Sequence, residues 1–122
     1  MKFKESKPIY LQIADRIMEE ILLEVYPEEE RIPSVREYAA MVEVNANTVV
    51  RAYDYLQNQE IIFNKRGIGY FVSKNGEKSI LKLRRKTFLN EDVPELFRQM
   101  ELLQISSADI KALYDEFLSH NK

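Results

Sequence analysis

The chain contains no cysteine and a single histidine, His120. Without cysteine there are no disulfides and no thiolate metal sites, which fits a reducing cytosol. One histidine cannot supply a multi-histidine metal site or a cysteine–histidine pair. No apolar run approaches the roughly 20 residues needed to cross a bilayer. The start, MKFKESKPIY, is charged and lacks the apolar stretch of a signal peptide. Repeats and low-complexity segments are absent too. Together these absences predict a cytoplasmic protein with no cofactor, no metal and no membrane partner.

Enzyme chemistry also lacks its parts. There is no nucleophile–base pair, no metal-ligand spacing and no phosphate-cradling loop. The run Glu28-Glu29-Glu30 reads as a solvated loop rather than a paired acid/base site.

What is there fits one ordinary domain, or one small domain with an appendage, in 122 residues. The net charge of −2 argues weakly against nonspecific polyanion binding. The charges are unevenly placed, however. Acids gather at Glu19, Glu20 and Glu24 and at Glu28–Glu30; bases gather at Lys65–Arg66 and along Lys74, Lys78, Lys82, Arg84, Arg85 and Lys86. A basic face can lie inside an acidic total.

Hydrophobic periodicity lays out the elements. In residues 8–25, Ile9, Ile13, Ile17, Ile21 and Val25 recur every four residues, widened by Ala14, Met18 and Leu22, which predicts a helix. Pro8 suits its first turn. A loop, YPEEERIP, follows. Ser34 and Glu37 form the S-x-x-E capping pattern, so a second helix starts at 34 or 35, with Val35, Tyr38, Ala39 and Val42 on one face. Asn45 is a good cap for a third helix, whose stripe is Val49, Ala52, Tyr53 and Leu56. Asn47, Thr48, Val50, Arg51 and Asp54 fall on its other faces.

The period then changes. IIFN and IGYFVS, flanking NKRG, read as a β-hairpin with Gly67 in the turn and Gly69 just inside the returning strand. The pattern breaks near residues 74–78, giving a region over 1–75 and another over 76–122. In the second, Ile80, Leu81, Leu83, Phe88 and Leu89 restore a helical period. Pro94 is expected to break or kink it, and NEDVPE is a plausible fresh start. Val93, Phe97, Met100 and Leu103 or Leu96 mark one more amphipathic helix. Ser106 or Ser107 caps a last one with Ile110, Leu113, Tyr114 and Phe117 as its apolar face.

Two short helices joined by a tight turn, then a basic hairpin, describe a winged helix-turn-helix. The second helix of the pair would enter the major groove with its N-terminal residues. Asn can pair with adenine and Arg with guanine, while Thr serves phosphate or base. Asn47, Thr48 and Arg51 are then the groove-facing set, and Asn64-Lys65-Arg66-Gly67 the wing that reaches phosphates or the minor groove.

These segments resemble the N-terminal DNA-binding domain of GntR-family bacterial transcriptional regulators. The likeness runs from KPIYLQIADRI through Val72 and is carried by four ordered motifs. They are P-S-x-R-E at Pro33–Glu37, V-N-x-N-T-V at Val44–Val49, R-A-Y at Arg51–Tyr53 and G-x-G-x-F-V at Gly67–Val72. The form V-N-x-N-T-V-x-R-A-Y is most similar to the YtrA-like subfamily. The resemblance implies that Ser34 and Arg36 meet the DNA backbone or a base, that Asn45, Asn47 and Thr48 meet the groove with Arg51 one turn further on, and that Gly67, flanked by Lys65 and Arg66, approaches the minor groove. It also implies a homodimer, more often a repressor, reading an inverted-repeat operator in double-stranded DNA. The short stretch after the wing matches the two-helix dimerisation tail of that subfamily, which gives a dimer set of Leu81, Phe88, Phe97, Met100, Leu103, Ile110, Leu113, Tyr114 and Phe117.

The chain departs from the family pattern at Glu29 and Glu60, where glycine is usual. Without that glycine, the end of the third helix needs another route, through Asn58 or a plain 3₁₀ turn. Ala46 and Val50 remove polar contacts that some relatives carry, so operator preference does not transfer.

Plainer readings stand beside these. One cap needs one side chain, and here are three. Arg36 and Arg51 could be solvated helix arginines, and Arg51 could pair with Asp54 for only ~0.3–0.5 kcal/mol. Lys65 and Arg66 could be exposed turn charges. Tyr53 belongs to the core on its stripe. The run from Lys82 to Lys86 reads as a solvated helix face, or as an extension of the DNA-facing charge. A winged helix can also bind a protein partner without DNA, which the acidic net charge would suit. The sequence leaves room for a small-molecule effector without picking one; a pocket for it at a dimer interface has Tyr10, Phe88, Phe97 and Tyr114 as candidate liners.

Overall fold

The computed structural model describes residues 7–121. Residues 1–6, part of the charged start, lie outside them. The order is α1 (Ile9–Leu22), α2 (Val35–Val42), α3 (Ala46–Asn58), β1 (Ile62–Lys65), β2 (Gly69–Val72), α4 (Gly76–Thr87), a π-helical turn (Phe88–Asp92), α5 (Val93–Leu103) and α6 (Ser107–His120). The chain is thus mainly α with one small β-hairpin, in two compact units that meet between Leu83 and Arg84. No helix among the described residues is long and apolar enough to cross a membrane.

In the first unit the three helices close on one core. Ile13, Ile17 and Ile21 of α1, Tyr38 and Val42 of α2, and Val49, Ala52, Tyr53 and Leu56 of α3 are buried. Removing such apolar area from water is the main stabilising term. Ile9 and Val25, at the two ends of the α1 stripe, are not part of this core: Ile9 is 45% exposed and Val25, beyond the helix end, is 56% exposed.

β1 and β2 are antiparallel, pairing Ile62 with Val72, Phe63 with Phe71, Asn64 with Tyr70 and Lys65 with Gly69. The loop before α2 joins this hairpin. Ile32 N–H donates to the Tyr70 carbonyl (2.9 Å), Glu29 N–H to the Val72 carbonyl (2.8 Å), and Val72 N–H to the Glu30 carbonyl (3.0 Å). Gly76 opens α4 within reach of β1, where a Cβ would lie 3.0 Å from the Ile61 carbonyl oxygen. Ile80 is fully buried, so the first turns of α4 belong to the first core.

Helix ends in this chain rarely use glycine. Glu24, Glu43, Glu60 and Gln104 follow α1, α2, α3 and α5 with φ of 61°, 57°, 60° and 57°. After α3, Glu60 N–H donates to the Gln57 carbonyl and Ile61 N–H to the Leu56 carbonyl, each at 2.9 Å. That is the Schellman closure, with glutamate in the left-handed position. The expected detour through Asn58 or a 3₁₀ turn is therefore not taken. Glu29, the other family-glycine position, is also left-handed, with φ of 65°. The backbone that glycine would serve is kept at both positions without glycine.

In the second unit, α5 starts at Val93, inside the NEDVPE segment, with Pro94 in its first turn, and the chain enters it without leaving helical backbone. Val93 N–H reaches back five residues to the Phe88 carbonyl, and the backbone at Thr87, Asp92 and Val93 stays right-handed helical. Pro94 has no N–H for the Asn90 carbonyl and its ring would press on it; widening the ladder by one residue accommodates both. α6 starts on a capping box: Ser106 Oγ accepts from Asp109 N–H (3.1 Å) and Asp109 accepts from Ser106 N–H (3.0 Å). No residue of α5 or α6 is buried.

Candidate nucleic-acid interface

The start of α2 is closed by Ser34. Its hydroxyl oxygen accepts from Glu37 N–H at 3.1 Å, while Glu37 accepts from Ser34 N–H at 3.0 Å. The Ser34 backbone N–H, and after it the Ser34 hydroxyl, hold the Glu37 carboxyl below its ordinary pKa. Arg36, on the next turn, is exposed and makes no hydrogen bond or ion pair among the described residues.

The start of α3 is closed by Asn45, whose Oδ1 accepts from Asn47 N–H at 2.8 Å. One side chain does the capping, and the side chains of Asn47 and Thr48 are left for other work. Asn47 is exposed and Thr48 half-buried. Val49, Ala52, Tyr53 and Leu56 are fully buried on the opposite face and anchor the helix. Tyr53 also reaches out of α3: its hydroxyl donates to the Pro33 carbonyl at 2.6 Å, and its ring meets Tyr70 of β2 edge-on at 4.8 Å. The entry into α2, the body of α3 and the hairpin are thus joined through one side chain.

Arg51 does not pair with Asp54. Its guanidinium lies over the Tyr10 ring of α1, 4.2 Å from the centroid. Asp54 instead faces Gln57, whose Nε2 is 3.5 Å from Asp54 Oδ1. Tyr10, Arg51, Asp54, Tyr55 and Asn58 line a shallow open depression. Of the four candidate effector liners, only Tyr10 lies in the first unit; Phe88, Phe97 and Tyr114 lie in the second.

At the wing, Ile68 N–H closes a turn on the Lys65 carbonyl at 2.9 Å. Gly67 takes the third position with φ of 79°, where a left-handed residue is required, and a Cβ there would meet nothing within 4 Å. Phe63 and Phe71 stack across the strands at 5.7 Å, and the Lys65 ammonium lies 4.8 Å from the Phe71 centroid. Arg66 is exposed and unpaired among the described residues. Gly69 has φ of 142°, and a Cβ there would sit 2.9 Å from Arg31 Nε.

Two side chains of this surface, Tyr10 and Arg31, stand out only in three dimensions, Tyr10 otherwise being a candidate pocket liner. The first meets Arg51 across 41 positions of chain and the second crosses Gly69, contacts that no local pattern announces.

A helix-turn-helix carrying a basic two-stranded wing defines a class of DNA-binding regulators. The chain belongs to the gntR family of bacterial regulatory proteins, whose model matches residues 9–72. It is a DNA-binding transcriptional regulator and not an enzyme. An uncharacterized HTH-type transcriptional regulator of Bacillus subtilis, YhcF, is 36% identical over 110 residues, covering 89% of this chain and 88% of its own. The HTH-type transcriptional repressor YtrA of the same organism is 33% identical over 93 residues, covering 76% and 71%. A crystal structure of a GntR-family regulator from Bacteroides thetaiotaomicron is 54% identical, with a TM-score of 0.79, covering 93% of this chain and 99% of that one.

Proposed function

We propose that the protein is a homodimeric transcriptional repressor of an inverted-repeat operator. The start of α3 lies in the major groove, with Asn45, Asn47, Thr48 and Arg51 toward the bases. Ser34 and Arg36 hold the backbone beside it. Lys65, Arg66 and Gly67 carry the wing to phosphates or the minor groove. The observation that carries this reading is the division of α3 into two faces. Four of its side chains are fully buried, while the side chains of Asn47 and Thr48 make no hydrogen bond among the described residues once Asn45 has capped the helix. The name of YtrA as a repressor supports the sign of regulation.

The helical region from residue 76 on supplies the dimer contact in this proposal, and the winged helix-turn-helix over 1–75 supplies the DNA contact. Phe97, Leu113, Tyr114 and Phe117 are more than half exposed, as are Phe88 and Leu103; Leu81 is half exposed, and Met100 and Ile110 are partly covered. Apolar side chains in such numbers on two helices without a buried residue suit an isologous interface.

Selection of bound duplexes from a random pool, read together with the mass of the complex in solution, tests the reading. Two copies of the chain on a palindromic consensus are expected. A consensus without two-fold symmetry, or one chain per site, would overturn the dimer. Retention of no duplex at low salt would overturn the DNA contacts assigned here.

A further inference from the structure

We infer that Tyr10, on α1, is a positioning residue for operator recognition: its ring holds the Arg51 guanidinium in place before DNA arrives. The inference rests on the proposed role of Arg51 as a reader on α3.

Three observations combine. The guanidinium lies 4.2 Å from the Tyr10 centroid. Asp54 stands one turn further along the same helix, yet no ion pair forms with it, and Arg51 makes no hydrogen bond among the described residues. Arg51 itself is exposed. A cation over a ring face is held by the ring's charge distribution, an attraction that uses none of its N–H groups as hydrogen-bond donors to an acceptor atom. A long flexible side chain is thereby narrowed to few conformations while its five donors stay open.

That combination suits recognition better than structural clasping. A clasp between α1 and α3 is already provided by Ile13, Ile17, Val49, Ala52 and Leu56, all fully buried. A solvated arginine would have no reason to settle on a ring rather than on the nearby carboxylate. Ordering the side chain in the free protein lowers the entropy lost when its fork meets guanine or phosphate. Tyr10 thus contributes to binding from a helix that need not touch a base.

The test is a double-mutant cycle on the duplex recovered by selection with the full chain, with thermal stability followed in parallel. Arg51→Ala is expected to weaken binding about 10- to 100-fold, the range of a lost base contact. Tyr10→Ala is expected to weaken it about two- to fivefold, the range of an exposed cation–π contact. Adding Tyr10→Ala to Arg51→Ala should weaken it no further. Tyr10→Leu, which keeps apolar bulk without the ring's charge distribution, should behave as Tyr10→Ala, and Tyr10→Phe should recover most of the affinity.

Wild-type affinity for Tyr10→Ala and Tyr10→Leu beside a weakened Arg51→Ala would overturn the inference and leave Arg51 a reader. Equal losses from Tyr10→Ala with and without Arg51 would also overturn it. Wild-type affinity for Arg51→Ala would instead remove the reading on which it rests.

Discussion

The Tyr53 hydroxyl donates to the Pro33 carbonyl at 2.6 Å, tying the buried side of α3 to the residue just before α2. A bond from a fully buried phenol to a backbone carbonyl fixes the entry into α2 against α3. Tyr53→Phe keeps the ring and its edge-on contact with Tyr70 but leaves that carbonyl without its donor. Loss of about 1–2 kcal/mol in stability is expected, read by denaturant unfolding. A loss under a few tenths would mean that water replaces the hydroxyl.

Buried tyrosines also set an alkaline limit. Burial pushes the hydroxyls of both Tyr38 and Tyr53 well above the ordinary value near 10, and the Tyr38 bond to Glu20 at 2.7 Å adds to its shift. A raised folded pKa means that the unfolded chain releases its proton first. The stability these groups contribute is complete below pH 10 and falls as the pH rises beyond it. Unfolding midpoints should therefore drop steeply above pH 10, and less steeply in Tyr38→Phe. Parallel slopes for the two proteins would count against this.

Glu60 takes a left-handed φ that glycine adopts freely. Its carboxylate also sits at a helix C-terminus, where negative charge is unfavourable. Glu60→Gly should raise stability by about 0.5–1 kcal/mol, while Glu60→Ala, which keeps a Cβ, should gain little of it. Thermal unfolding of the two variants checks the difference, and equal midpoints would contradict it.

The two wing glycines should respond differently. Gly67→Ala meets open space and carries only the strain of its backbone, about 1 kcal/mol. Gly69→Ala adds a contact of 2.9 Å with Arg31 Nε at a φ of 142°. It should be the more destabilising of the two in thermal unfolding; the reverse order would mean that Arg31 moves aside without loss.

On DNA, Lys65→Gln and Arg66→Gln should each flatten the dependence of log affinity on log salt by about one unit. Asn47→Ala should weaken operator binding about 10- to 100-fold with the salt slope unchanged, as expected for a base contact. Salt titrations of the three variants separate the roles, and an unchanged slope for both wing variants would take the wing off the phosphates.

Local pattern made much of the first unit, and the last helix start, legible. The stripe Val49, Ala52, Tyr53 and Leu56 is buried as its spacing required, and Ser34, Asn45 and Ser106 cap the helices they precede. Gly67 sits in the turn that alternation placed there. These features depend on residues within a few positions of each other. The contacts of Tyr10 with Arg51 and of Arg31 with Gly69 depend on how distant segments meet, so no window of sequence contains them. Pro94 shows a different limit. The usual consequence of proline in a helix is a break, but one extra residue in the turn before it removes the conflict. Val25 continues the α1 stripe in sequence, yet the helix has ended three residues earlier, at Leu22.

The left-handed glutamates and glutamine at four helix ends leave this chain with untapped room for stabilisation. None of the four belongs to the residues assigned to DNA. Glycine at those positions would relax the backbone without altering the groove face or the packed core. Resistance to heat and choice of operator could then be tuned on separate sets of residues.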